Sequence, residues 1–200
     1  MDDKQAAPVP QRITDVDALK VFTHPLRIRL YYALHTSREA TASHLADQVD
    51  EAVSLVSYHL RKMAAHGFIV EAEGHGSDGR ERWWRLSSHR GFTFHNADFA
   101  DRPEGAAVIG QINRQLLSTR NERYVRYLDE QVAWPREWTE AAFSSEYVPL
   151  LNAAELQQMA DELGALMQRW TDVGRAAEAA GDTEGREHVA VQMYGFPTRS

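Results

Sequence analysis

Two hundred residues, 43% hydrophobic and 26% charged, have the composition of an ordinary globular chain with room for one large domain or two small ones. The absence of cysteine excludes disulfides and thiolate metal sites, and no run approaches the roughly eighteen apolar residues of a membrane helix, so a cytoplasmic protein without a secretory signal or membrane span is expected. The net charge of −7 does not exclude a DNA-binding face, because residues 15–90 balance ten Lys/Arg against ten Asp/Glu while residues 91–200 hold ten against seventeen.

Residues 1–13 contain Pro8 and Pro10 without periodicity and read as a flexible tail. Thr14 and Asp17 have the spacing of a capping box ahead of Leu19, Val21 and Phe22, which predicts a first helix. Pro25 marks a break and the first turn of a second helix carrying Leu26, Ile28, Leu30, Tyr31 and Leu34. Thr41 opens a short third helix with Leu45 and Val49 inward. After a turn at Asp50–Glu51–Ala52, Val53, Val56, Leu60 and Met63 recur at helical spacing in a fourth, ended by Gly67 as a left-handed cap. The runs Phe68–Ile69–Val70 and Trp83–Trp84–Arg85–Leu86 then flank a glycine-rich turn and predict a β-hairpin with a polar tip.

Residues 91–103 read as a packed linker rich in phenylalanine, and Glu104 to about Val132 as a long helix. Pro135 interrupts it. Asn152 and Glu155 form a second capping-box spacing, ahead of Leu156, Met159, Leu163, Leu166, Trp170, Val173 and Ala177, a narrow seam that needs a partner helix. The flanking runs Glu146–Leu150 and His188–Tyr194 are strand-like and could pair with each other. The predicted fold is therefore mainly α with a small β component (α+β): a winged helix-turn-helix head over residues 14–90, a linker at 91–103, and a helical C-terminal domain over 104–200 with a short two-stranded element.

Three ordered motifs sharpen this reading. Thr23–His24–Pro25–Leu26–Arg27–Ile28–Arg29–Leu30, then Val56–Ser57–Tyr58–His59–Leu60–Arg61–Lys62–Met63 with Gly67–Val70, then Gly79–Arg80–Glu81–Arg82–Trp83–Trp84–Arg85–Leu86 resemble the ArsR-type winged-helix repressors. The resemblance covers residues 15–88. It implies a homodimer on a palindromic operator in double-stranded DNA. The chain departs from the pattern at Ala52, where a Ser or Thr commonly opens the recognition helix, and in lacking the cysteines of the metal-sensing branch. The extended C-terminal half is similar to longer regulators ending in a "VQxxxFP" strand, here Val191–Pro197.

The outward positions of the fourth helix, Ser54, Ser57, Tyr58, Arg61 and Lys62, are short, polar or basic. They are the expected DNA-contacting set, with Arg80 and Arg82 from the wing. On composition alone the same face would pass for a solvated helix surface; its place between a short turn and a hairpin favours DNA. His59 falls between Val56 and Met63 and is expected to be packed. The histidines lack a tight metal-ligand spacing, so no metal or cofactor is expected, and no hydrolase, zincin, phosphate-loop or dinucleotide signature points to an enzyme. Trp134, Trp138, Phe143, Tyr147, Met159 and Trp170 are read first as core, then as dimer interface, then as the pocket of a small apolar effector. The expected function is that of a repressor, and the alternative is a winged-helix protein–protein interaction module without DNA binding.

Overall fold

The computed structural model describes residues 11–73, 81–88, 92–94, 96–99, 101 and 103–199. The glycine-rich wing tip with Arg80, most of the expected tail and parts of the expected linker lie outside them. The chain divides into two compact units, Met1–Glu130 and Gln131–Ser200.

The first unit opens with strand β1 (Gln11–Arg12), followed by α1 (Val16–Lys20) and a single 3-10 turn, Val21–Thr23. Asp15, not Thr14, caps α1, its carboxylate accepting from the Asp17 amide at 3.1 Å. Helix α2 (Pro25–Ser37) begins where the sequence places it. A residue before proline is pushed out of the α region, and His24 accordingly sits extended at φ −96°, ψ 123°. Its Nδ1 accepts from the Leu26 amide at 3.2 Å, so the residue that breaks one helix caps the next.

Strand β2 (Glu39–Thr41) leads into α3 (Ala42–Val49), whose Thr41 side chain accepts from the His44 amide at 3.2 Å. Asp50, in the left-handed region at φ 50°, turns the chain into α4 (Val53–Ala65). Gly67 at φ 74° ends that helix as predicted. Strands β3 (Ile69–Glu71) and β4 (Trp83–Leu86) form the hairpin, and β2 pairs with the other side of β4 to give an antiparallel sheet in the order β2-β4-β3. Trp84 and Leu86 are buried against the helices while Trp83 and Arg85 are half exposed, the alternation of a one-sided sheet. This is the winged-helix arrangement, with the core formed by Leu19, Leu26, Leu30, Leu34, Leu45, Val56, Leu60 and Met63 among others.

Two parts of this unit differ from the sequence expectation. Residues 11–13 are not tail: β1 pairs in parallel with β5 (Phe92–Thr93), Ile13 is buried, and the Ile13 amide donates to the Thr93 carbonyl at 2.8 Å. Arg12 adds an ion pair to Asp98. A strand of two residues has no periodicity to read. The long helix α5 (Pro103–Glu130) falls in the same unit as the head. Val108, Ile109 and Ile112 are buried in the head's core, and Glu104 pairs with Lys20 of α1 at 2.7 Å.

The second unit contains a 3-10 turn (Gln131–Ala133), α6 (Arg136–Ala141) and α7 (Ala153–Ala179). The capping box of α7 forms as predicted: the Glu155 amide donates to Asn152 Oδ1 at 3.0 Å, and the Asn152 amide donates to Glu155 Oε2 at 2.8 Å. Residues 146–150 and 188–194 form no strands. Their apolar side chains are exposed on both alternating faces, Tyr147, Val148 and Leu150 in one run and Val189, Val191, Met193 and Tyr194 in the other, so no covered face rewards pairing. The C-terminal segment instead passes α7: a Cβ built on Gly195 would lie 3.2 Å from Leu156 Cδ1.

Among the described glycines, Gly105 has the closest neighbour. A Cβ there would stand 2.8 Å from the Phe99 carbonyl oxygen, a backbone atom that cannot swing aside. Gly105→Ala is expected to destabilise the chain by about 1–3 kcal/mol, as overpacking does. Gly164→Ala in α7, with nothing within 4 Å of the new methyl, is expected to gain about 0.5–1 kcal/mol from helix propensity. Urea denaturation of the two variants checks the contrast.

Candidate nucleic-acid interface

Helix α4 is held by one face and presents the other. Val56, His59, Leu60 and Met63 are buried, whereas Ser54, Leu55, Tyr58, Arg61 and Lys62 are exposed and Ser57 is half buried. Thirteen residues at 1.5 Å each give a rod about 20 Å long, and the diameter of an α-helix, about 10–12 Å, suits the width of a B-form major groove. Its first turn has no side-chain cap, because Ala52 occupies the cap position. The helix therefore begins with unsatisfied amides and the positive end of its dipole beside Ser54.

Beneath the start of α4 lies a cleft of about 380 Å³, bounded by Ser43 at the start of α3, by Val53, Ser57 and Arg61 of α4, and by Arg82 and Trp84 of the hairpin. Two guanidinium groups thus face one opening. Glu81 also lines it and accepts a hydrogen bond from the Ser43 hydroxyl at 2.7 Å, which engages that carboxylate locally. Arg82 stands 3.9 Å from Glu71, but both side chains are largely solvated, so the pair binds loosely. On the outer face of α4, the Lys62 ammonium lies 5.8 Å from the centre of the Tyr58 ring, one turn apart.

The structure brings Ser57, Arg61 and Arg82 to one cleft and leaves Ser54, Tyr58 and Lys62 on the open surface of the same helix. Arg80 lies outside the described residues. Val53, which the spacing assigns to the core seam, is exposed: it is the first residue of the helix and overhangs the cleft rather than the core. Leu55 is likewise exposed. Sequence periodicity gives no warning at either position. An exposed valine offers apolar contact of the kind that recognises a thymine methyl.

Behind the helix, Arg27 of α2 fixes its position. Its Nε donates to His59 Nδ1 at 3.2 Å and its Nη1 to the Val21 carbonyl at 2.8 Å. Two residues on, Arg29 Nη1 donates to the Val49 carbonyl at the end of α3 at 3.0 Å, and the same guanidinium pairs with Glu51 in the α3–α4 turn. The two arginines of the Pro25–Leu30 motif therefore tie together the elements of the reading head. His59 is packed, as its spacing predicts, with the His24 ring 4.2 Å away, centre to centre.

Residues 22–72 match the family model of the Helix-turn-helix domain. The chain's head is a helix-turn-helix domain, the reading module of DNA-binding regulators. The matched span takes in Arg27, Arg29, α3, α4 and β3. No curated protein matches the chain. Among the described residues no three His, Asp or Glu side chains gather as metal ligands, and no helix is long and apolar enough to cross a membrane.

The aromatic set of the second unit is only partly gathered. Trp134 and Trp138 are half buried and meet at 6.4 Å, edge to face. Met159 is half buried on α7. Phe143, Tyr147 and Trp170 are 76%, 84% and 64% exposed, so they wall no closed cavity within that unit.

Burial lowers the pKa of His59, helped by the nearby His24 and Arg27; His24 is lowered by its own desolvation and then by Arg27. Both histidines are thus held neutral in the folded state, and His59 Nδ1 must be unprotonated to accept from Arg27. A folded-state pKa below the unfolded value means that the unfolded chain takes up protons first as the pH falls. Stability is therefore complete above the ordinary histidine value of 6.5 and declines below it. Urea midpoints measured against pH are expected to fall as the pH drops through that value, with a shallower fall in His59→Gln, whose amide oxygen can still accept from Arg27. Equal slopes in the two proteins would mean that His59 does not carry the effect.

Proposed function

We propose that the chain is a cytoplasmic transcriptional repressor that binds a palindromic operator as a homodimer, with α4 in the major groove and the β3–β4 wing along the backbone. The observation that carries this reading is the division of α4 into a buried face locked by Arg27 and an open face bearing Ser54, Tyr58, Arg61 and Lys62. Arg82 across the cleft from Arg61 supplies a second cationic point for phosphates. The resemblance of the motifs to ArsR-type repressors supports the direction of control.

Support for two copies comes from apolar faces that lack cover. On α5, Leu117, Tyr124, Val125 and Leu128 are exposed, and on α7 Trp170 and Val173 are exposed at the end of the Leu156–Leu166 seam. Two-fold pairing through such helices sets two recognition helices about 34 Å apart, the repeat of palindromic half-sites. On this reading the aromatic side chains of residues 134–170 serve assembly, and through it any sensing of a small apolar effector.

A gel shift with DNA from the chain's own promoter region tests the proposal. The expected complex carries two chains per duplex and weakens steeply with salt. Arg61→Ala/Lys62→Ala should lower affinity, by about 1–3 kcal/mol for each base-edge hydrogen-bonding pair removed, with the circular dichroism unchanged. Arg82→Ala should weaken operator and random DNA by similar factors, as removal of a phosphate partner does. A double variant that binds as wild type would remove α4 from the interface. The exposed Val53, Leu55 and Tyr58 equally suit a protein partner, and absence of any shift at low salt would favour that second reading.

A further inference from the structure

Away from α4, a second cavity of about 220 Å³ opens between α2, α5 and the residues around β5. Tyr31 and Tyr32 of α2, Phe92 and Phe94, and Ile112 and Leu116 of α5 form most of its wall. The rings are set for contact with another ring: Tyr31 meets Phe92 at 4.9 Å and 65°, and Phe22, also in the lining, lies 4.5 Å from Phe92 at 32°. An apolar cavity of ~150 Å³ takes up benzene, so this one has space for a body of one or two fused rings.

The charge in the lining comes from Arg120. Ile28 and His35 also stand in the wall, and among its described residues none is acidic. The Arg123 guanidinium lies 4.8 Å from the centre of the Tyr32 ring, which brings a further positive charge to the same wall. Burial drives the Tyr31 phenol well above its usual pKa, so it stays neutral and adds no negative charge. A guanidinium carries its donors in a planar fork, the geometry that matches a carboxylate.

We infer that this cavity is a binding site for a small planar aromatic carboxylate, its rings among the tyrosine and phenylalanine walls and its carboxylate on Arg120. The site lies between α2, which carries Arg27 and Arg29, and α5, so its occupant would touch both the helix that fixes the reading head and the helix proposed to pair in the dimer. Binding itself requires neither DNA nor dimerisation.

Isothermal titration of the full chain with 2-naphthoate, without DNA, tests the inference. One saturable site per chain is expected, and the neutral 2-naphthamide should bind roughly tenfold or more weakly, reflecting the charge-assisted contact. Leu116→Trp fills the cavity and should reduce naphthoate affinity at least as much. Arg120→Gln should abolish the preference for the acid over the amide while leaving the amide's affinity unchanged, and it decides the matter alone if Leu116→Trp does not fold. Glu122→Gln, outside the lining, should bind as wild type. No saturable heat with the wild type, undiminished binding by folded Leu116→Trp, or an acid preference that survives Arg120→Gln would each overturn the site. Because DNA is absent from the titration, failure here leaves the DNA reading untouched, and failure of operator binding leaves this result standing.

Discussion

Arg27 is a single side chain of α2, yet its guanidinium reaches the carbonyl of Val21 in the turn before it and the imidazole of His59 on α4. The buried face of α4 is otherwise apolar: Val56, Leu60 and Met63 fix its depth but do little to fix its rotation or its slide along the axis. A directional hydrogen bond to a buried acceptor does both, and leaving that acceptor unmet costs about 1–3 kcal/mol. Arg29 plays the matching part at the turn, holding the Val49 carbonyl and the Glu51 carboxylate. The side chains that define how α4 is presented are thus on its back and on its neighbour, not on the face that would meet DNA.

That face combines hydroxyls, two cations and exposed apolar residues, with Glu81 among the cations of the cleft. A chain of net charge −7 can still hold a polyanion, because fields beyond about 8 Å are largely screened at physiological salt and the acidic excess falls in residues 91–200. Helix α5 complicates a division between head and appendage. Its first turns are part of the head's core, with Gly105 against Phe99 and Glu104 on Lys20, while its exposed apolar stripe begins only at Leu117. Helix α5 thus continues without a break from the core of the head to its exposed stripe.

Much of the head was legible because its signals are local and mutually consistent. Pro25 starts α2, Thr41 caps α3, Gly67 ends α4, and apolar residues recur with helical period between them. The capping box at Asn152 and Glu155 was legible for the same reason. The pairing of β1 with β5 was not, since two residues on each side carry no pattern and their partners lie some eighty positions apart in the chain (Gln11 with Phe92). Val53 misled because spacing reports the phase of a helix and not where the core beneath it stops. The alternation in Val189–Tyr194 misled for the opposite reason: the pattern is present, but nothing in its unit covers either face. Of the expected DNA-contacting residues, six fall on α4 or the described part of the hairpin, on or beside the cleft; what the sequence could not convey was Arg27 beneath them, whose role depends on a partner 32 positions away.

Whether α4 is the surface that meets DNA is most directly tested by amide chemical shifts of the isotope-labelled full chain on addition of a short duplex from its own promoter region. The shifts should concentrate at Ser54, Ser57, Arg61, Lys62 and Arg82, with Val108 to Ile112 in the core of α5 unmoved. Shifts confined to residues 103–130, or none on α4 at a concentration of duplex that saturates the chain, would contradict the placement of the reading helix.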